Sequence, residues 1–187
     1  MEKFSKISKQ KIGIDKEDYV YDGDYIKVKE RDGWQYVTER DCVIAIPHLL
    51  DFEEIMIRKE WIPPFQDRHP NQEFFLTMIS GTMEDGETPV DTLIRELQEE
   101  AGILLNTTYM KYERWGELFT NKGNSSKCHI FYLPLNINDF QKVRAVGDGS
   151  KSEDISKTTR VNVKYIDSLK PSDLLTAFCL EKMKSKI

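Results

Sequence analysis

Cysteine is scarce in this chain, at three residues of 187, and Cys42, Cys128 and Cys179 nowhere stand at a C-x-x-C spacing. A disulfide framework and a cysteine-ligated zinc site are therefore not expected, and the three read as small buried residues. An excess of positive charge is lacking too: 27 Lys and Arg face 32 Asp and Glu, a formal net charge of −5 with the three His neutral. Duplex nucleic acid is held by clustered cations that neutralise phosphates, so a duplex-binding protein is not expected. No apolar run approaches the roughly 18 residues of a membrane span. The longest runs, such as residues 42–47, are strand-sized. Residues 1–11, rich in Lys and Ser, lack the apolar centre and small-residue cleavage site of a secretory signal, which gives a cytoplasmic expectation. Internal repeats and low-complexity blocks are also missing, which excludes solenoids and arrays.

What the chain does have is enough apolar material, 39% hydrophobic and 11% aromatic, for one buried core. Asp32-Gly33 separates two strand-like runs, residues 27–31 and 34–39, and is the dipeptide of a two-residue hairpin whose central residues both take positive φ. Further strands are predicted at 42–47, 55–58, 74–79, 109–115, 128–133 and 161–165. Two segments are helical instead. Residues 89–101 carry Val90, Leu93, Ile94, Leu97 and Ala101 at helical spacing, and residues 171–184 carry Leu174, Leu175, Phe178 and Met183. The first helix has its start signals in Thr88, Pro89 and Asp91 and its stop in Gly102. An N-terminal antiparallel β-ribbon over residues 1–40 followed by a mixed α and β domain over 41–187 is the expected organisation. Residues 146–157 (VGDGSKSEDISK) form a polar loop rich in Gly and Ser.

The chemistry concentrates in residues 81–103, GTMEDGETPVDTLIRELQEEAGI. Glu96, Glu99 and Glu100 stand three and four residues apart, so at about 100° per residue they share one sector of the helix. Like charges at such spacings cost a few tenths of a kcal/mol per pair, and a divalent cation would offset that repulsion. Carboxylate oxygens are hard ligands that suit Mg²⁺ or Mn²⁺, ions that keep open positions for water and substrate phosphate. Arg95, inside the same turn, can clamp a carboxylate by a charge-assisted fork. A Glu-rich helix face alone would read as a solvated surface. The complete spacing says otherwise: Gly81, five residues, Glu87, seven residues, Arg95-Glu96-Leu97, one residue, Glu99-Glu100, one residue, Gly102-Ile103. At about 7% for each of the seven positions other than the apolar Leu97 and Ile103, a chance match at a given start has odds on the order of 10⁻⁸.

This segment resembles the signature box of the Nudix hydrolases, without a departure, and the order of surrounding elements over residues 41–187 resembles theirs as well. The resemblance implies an α+β fold, an α/β/α sandwich with a mixed β-sheet, whose loop and helix hold Mg²⁺ or Mn²⁺ and hydrolyse a nucleoside diphosphate linked to another moiety. Carried over by position, Glu96, Glu99 and Glu100 are the metal ligands, Glu96 alternatively accepting a proton, and a backbone carbonyl of Ser80 or Gly81 is a further ligand. Glu87 and Arg95 orient the cluster. A carboxylate from the late loop, Glu153 ahead of Asp154, is the candidate catalytic base or extra metal ligand.

The surroundings resemble the ADP-ribose and sugar-nucleotide pyrophosphatases, in which an N-terminal strand region contacts substrate and exchanges contacts across a homodimer. Residues 31–40 (RDGWQYVTER) and 55–64 (IMIRKEWIPP) carry that likeness. It makes Trp34 a candidate stacking platform for a base, a contact of about 1 to 3 kcal/mol, and Arg58 a candidate phosphate contact. The chain departs from the branch at Trp61, where an Arg is usual, at Thr77 to Gly81 (TMISG), where Glu-x-Pro-Ala-Gly is usual, and at 115–120 (WGELFT), which lacks an expected Pro. ADP-ribose or a related nucleotide sugar is the leading substrate. Removal of diphosphate from a nucleoside triphosphate or an RNA 5′ end is the rival reaction, and a nucleotide-sensing module without turnover is the rival of another class.

Overall fold

In the computed structural model, which describes residues 18–23, 26–71, 74–108, 110–147 and 155–187, the first three strands, β1 (Asp18–Asp22), β2 (Lys27–Arg31) and β3 (Trp34–Thr38), make an antiparallel ribbon of their own. Its second turn is the expected one: Asp32 and Gly33 take φ of 54° and 78°, and Arg31 pairs with Trp34. The ribbon is tied to the rest of the chain through β3. Val37 N donates to Gly123 O at 2.6 Å, and Ser125 N donates to Val37 O at 2.9 Å.

The main body follows in the order β4 (Cys42–Leu49), β5 (Glu54–Glu60), α1 (Pro63–Arg68), β6 (Phe75–Thr77), β7 (Ile79–Thr82), α2 (Pro89–Ala101), β8 (Ile103–Leu105), β9 (Glu113–Phe119), β10 (Lys127–Leu135), β11 (Phe140–Lys142), β12 (Lys157–Asn162) and α3 (Leu174–Met183). Seven of these strands form one mixed sheet, ordered β12-β5-β4-β10-β9, with β6 on β5 and β7 on β4. Only the β4 and β10 pair is parallel. One edge of β4 is shared: β7 pairs with residues 42–45 and β5 with residues 48 and 49. Pro47, which has no N–H to donate, falls in the gap between them, which is how a proline is tolerated in a central strand.

Because side chains alternate across a strand, the central strands feed two cores. Val43, Ala45, Met56, Phe131 and Leu133 pack with Leu93 and Leu97 of α2, whereas Ile44, Ile46, Ile57, Ile130 and Tyr132 pack with Cys179, Leu180 and Met183 of α3. The fold is therefore the expected helix, sheet, helix sandwich.

Local signals place α2 at its predicted bounds. Thr88 and Asp91 close a capping box, with Asp91 N donating to Thr88 Oγ1 at 3.2 Å and Thr88 N to Asp91 Oδ2 at 2.9 Å, and Gly102 ends the helix at φ 61°. The last helix starts later than predicted, at Leu174. Asp173 caps it, accepting from Thr176 N at 2.7 Å, while Ser172 is bound to Leu76 of β6 through both its N–H and its hydroxyl.

The predicted strand at 74–79 is two strands, broken at Met78, because its halves pair with different partners, β5 and β4. The predicted strand at 161–165 lies earlier, at β12, and Asn162 caps a 3₁₀ turn over Val163–Ser168 in its place. The predicted strand at 109–115 is displaced to β9, and β1, β8, β11 and α1 were not foreseen.

The cysteines need a correction. Cys42 and Cys128 face each other on the parallel pair β4 and β10, Cα atoms 4.8 Å apart, and are joined as a disulfide, while Cys179 is buried and free. Their separation of 86 residues is closed by sheet register, which spacing in the sequence does not reveal. Among the described residues no helix is long and apolar enough to cross a membrane.

Candidate active site

The site is built where β7 turns into α2. Gly81 lies against Glu96 so closely that an ideal Cβ there would stand 1.7 Å from Glu96 Oε1, so any side chain at this position would have to move the Glu96 carboxylate. Beyond it the loop is folded by its own acid: Glu84 N donates to Glu87 Oε2 at 2.8 Å, and Gly86 supplies a φ of 89°. Glu87 also accepts from Thr92 Oγ1 at 2.7 Å, which fixes the loop to the first turn of α2.

Arg95 joins loop and helix. Its Nε and Nη2 make a fork on Glu87 at 2.9 and 3.1 Å, Nη1 reaches Glu96 Oε1 at 2.7 Å and Glu99 Oε2 at 3.0 Å, and Nη2 also donates to Thr82 O at 2.9 Å. A guanidinium has five N–H donors, and these five acceptors match them. The fork holds the Glu87 carboxyl down at about 2, and the same contacts hold Arg95 above the usual arginine range.

Glu100 is held from the other side. Its Oε2 accepts from Ser80 N at 3.2 Å, and its Oε1 meets Arg58 Nε at 2.9 Å, which also touches Glu60 Oε1 at 3.1 Å. Burial pushes the Glu100 carboxyl up to about 9, with Arg58 opposing and Glu60 and Glu96 reinforcing the shift. Five carboxylates, Glu60, Glu87, Glu96, Glu99 and Glu100, are thus partitioned between two guanidiniums. A depression of about 320 Å³ lined by Asp91, Ile94, Arg95, Gln98 and Glu99 runs beside the cluster.

The end of α2 is tied to the late loop. Gly147 N donates to Glu99 O at 3.3 Å, Thr158 Oγ1 donates to Glu100 O at 2.7 Å, and Trp61 N donates to Ser156 Oγ at 3.3 Å. Glu153 and Asp154 lie outside the described residues. The stems on either side of them are fixed to two consecutive carbonyls of the carboxylate helix.

Of the residues singled out in the sequence, Glu87, Arg95, Glu96 and Glu99 come together in one hydrogen-bonded group, and Glu100, Ser80 and Gly81 adjoin it. Trp34 stands on β3 in the separate ribbon, 63% exposed. Arg58 is 4% exposed and its Nε faces Glu60 and Glu100. Sequence reasoning missed Glu60, although strand alternation places it on the same side as Arg58 two residues earlier. It also missed the hydroxyl anchors Thr92 and Thr158.

Among the described residues no three His, Cys, Asp or Glu side chains are already disposed around a common ion position. The donor set nonetheless fits a hard divalent cation: it consists of carboxylates, two of them buried, whose present counter-charges are guanidiniums.

Comparison with known proteins agrees with this geometry. The NUDIX domain profile matches residues 40–164. The ADP-ribose pyrophosphatase of Bacillus subtilis (strain 168) is 21% identical over 150 residues, 80% of this chain and 76% of that protein. A solved structure described as an ADP compounds hydrolase superposes with a TM-score of 0.65 at 17% identity, covering 90% of this chain and 89% of its own. At that identity the likeness carries the fold.

Proposed function

Since the chain belongs to the NUDIX family, we propose that it is a metal-dependent pyrophosphohydrolase that cleaves the diphosphate of ADP-ribose or a related nucleotide sugar. The products are a nucleoside monophosphate and a phosphorylated partner. The observation that carries this reading is the Arg95 group, in which one side chain sets Glu87, Glu96 and Glu99 against the Gly81 turn while Glu100 sits beside them. The names of the two relatives support the substrate class.

Glu96, Glu99 and Glu100, with a carbonyl of Ser80 or Gly81, would hold Mg²⁺, or Mn²⁺ in its place. Bound there, such an ion offsets charge on the diphosphate and lowers the pKa of a coordinated water. The chain's own part is geometric and protolytic. Arg95 holds Glu96 and Glu99 together on one side of the helix, which limits how far the carboxylates must move to share an ion. Glu153, carried by a loop whose stems are fixed at Glu99 and Glu100, takes the proton of the attacking water. The water oxygen bonds to one phosphorus of the diphosphate, the anhydride P–O bond breaks, and the other phosphate leaves with the bridging oxygen.

Trp34 is assigned to the base, which its flat and exposed ring suits. The ribbon exposes Val20, Tyr21 and Ile26 along with Trp34. These exposed apolar side chains suit a contact with a second copy of the chain, so we assign the ribbon to a homodimer contact, and sedimentation as a monomer would count against that assignment.

The test is product analysis after incubation with Mg²⁺ and a panel of ADP-ribose, other nucleotide sugars, dinucleotides, nucleoside triphosphates and 5′-triphosphate RNA, using the protein and Glu100→Gln. AMP and ribose 5-phosphate from ADP-ribose, lost in the variant, is the expected result. Diphosphate from a triphosphate would keep the site and discard the substrate class. Tight nucleotide binding without any product would make the chain a sensing module.

A further inference from the structure

The buried contact between Arg58 and Glu100 has no part in the reading above, and burial makes it informative. The two side chains are each 5% exposed and meet at 2.9 Å. An ion pair so far from water contributes little net stability, because desolvation of both charges offsets their attraction, and apolar residues of similar volume often serve the fold as well. What such a pair does supply is a fixed geometry.

That geometry bears on one carboxylate. Ionised, as a metal ligand must be, Glu100 has about four lone-pair positions on its two oxygens. Ser80 N takes one on Oε2, and the Arg58 guanidinium stands against Oε1 as an ion pair with Nε at 2.9 Å. The carboxylate is therefore held by a hydrogen bond at one oxygen and by charge at the other. Arg58 is itself set by Glu60, whose Oε1 lies 3.1 Å from the same Nε. Alternation along β5 makes this possible: Met56 belongs to the core under α2, so Arg58 and Glu60 follow it on that side. Neither residue belongs to the box, and the strand that carries them is separated from it by α1 and β6.

We propose that Arg58 is a positioning residue for Glu100, aiming its carboxylate at the divalent cation, and that Glu60 braces Arg58. The proposal rests on the metal-site reading of Glu100. It removes Arg58 from the substrate and gives a strand outside the box control over the affinity of the ion.

The test is titration of the full chain with Mn²⁺ alone, followed calorimetrically at one pH, with kcat and KM measured beside it. Arg58→Met, of similar length and without charge, is expected to weaken Mn²⁺ binding by about 10- to 100-fold, the usual effect of removing an outer partner of a metal ligand. kcat at fixed Mn²⁺ falls with it, KM for the nucleotide holds, and Arg58→Lys restores part of the affinity. Glu60→Gln, at a more exposed position, should show a smaller loss in the same direction and serves if Arg58→Met does not fold. Wild-type Mn²⁺ affinity in folded Arg58→Met, or in Glu60→Gln where that variant alone folds, overturns the proposal. A raised KM with unchanged affinity and kcat overturns it as well and returns Arg58 to the substrate. Absence of Mn²⁺ binding in the wild-type chain overturns the metal-site reading itself, a different result from either.

Discussion

Gly81 and Glu96 occupy space that a single methyl group would fill: the Cβ that Gly81 lacks would stand 1.9 Å from the Glu96 carboxyl carbon. Gly81→Ala must therefore displace a carboxylate that Arg95 holds at 2.7 Å. We expect kcat to fall by about 100-fold, the scale of an ångström-sized misplacement in an active site. Far-ultraviolet circular dichroism should be unchanged. An active Gly81→Ala enzyme would remove Glu96 from the catalytic geometry.

Arg95 spends all five donors, and a lysine has three on a point charge with no planar fork. Arg95→Lys keeps the charge but cannot hold Glu87, Glu96, Glu99 and Thr82 O together. The expected result is a loss in kcat of about 10- to 100-fold, with the Glu87 loop more open to proteolysis. Steady-state kinetics and limited digestion of the two proteins decide it; equal kcat would mean that charge alone suffices.

The Glu87 carboxyl is held at about 2, against an ordinary 4.5, chiefly by its hydrogen bonds from Arg95. A lowered folded-state value means that folding favours the ionised form. Its contribution is present above pH 4.5 and is lost as pH falls through 2. Thermal melts of the metal-free protein should therefore drop more steeply across that window than those of Glu87→Gln, and parallel curves would argue against the fork as a stabilising contact.

Glu153→Gln is expected to lower kcat at least roughly tenfold with little change in KM, the pattern of an interaction made only in the transition state. Asp154→Asn should behave as wild type. Full turnover by Glu153→Gln would send the search for the base back to Glu96.

The parts of the molecule legible in the sequence are those whose signals are local. Thr88, Pro89, Asp91 and Gly102 mark both ends of α2 within a turn of each end, and Asp32-Gly33 fixes the ribbon's hairpin by backbone sterics alone. Arg95 and its carboxylates share one helix and its loop, so their meeting could be read from spacing. Arg58 reaches Glu100 only because β5 and α2 pack across the sheet, and Cys42 reaches Cys128 only through register. The break at Met78 is of the same kind: the run from Phe74 to Ile79 holds no Gly or Pro to interrupt it, and only the partners on either side divide it. A sequence states what a residue prefers and is silent on who stands opposite.

The late loop leaves the body at Gly147, bound to Glu99 O, and returns at Thr158, bound to Glu100 O. Both stems end on carbonyls of α2, one through a backbone N–H and the other through the Thr158 hydroxyl, so insertions or substitutions between them leave that footing intact. The stretch that carries Glu153 can therefore vary apart from the helix that carries Glu96, Glu99 and Glu100, with both referred to the same two carbonyls. The attachment makes the last turn of α2 the common frame of two separately variable parts.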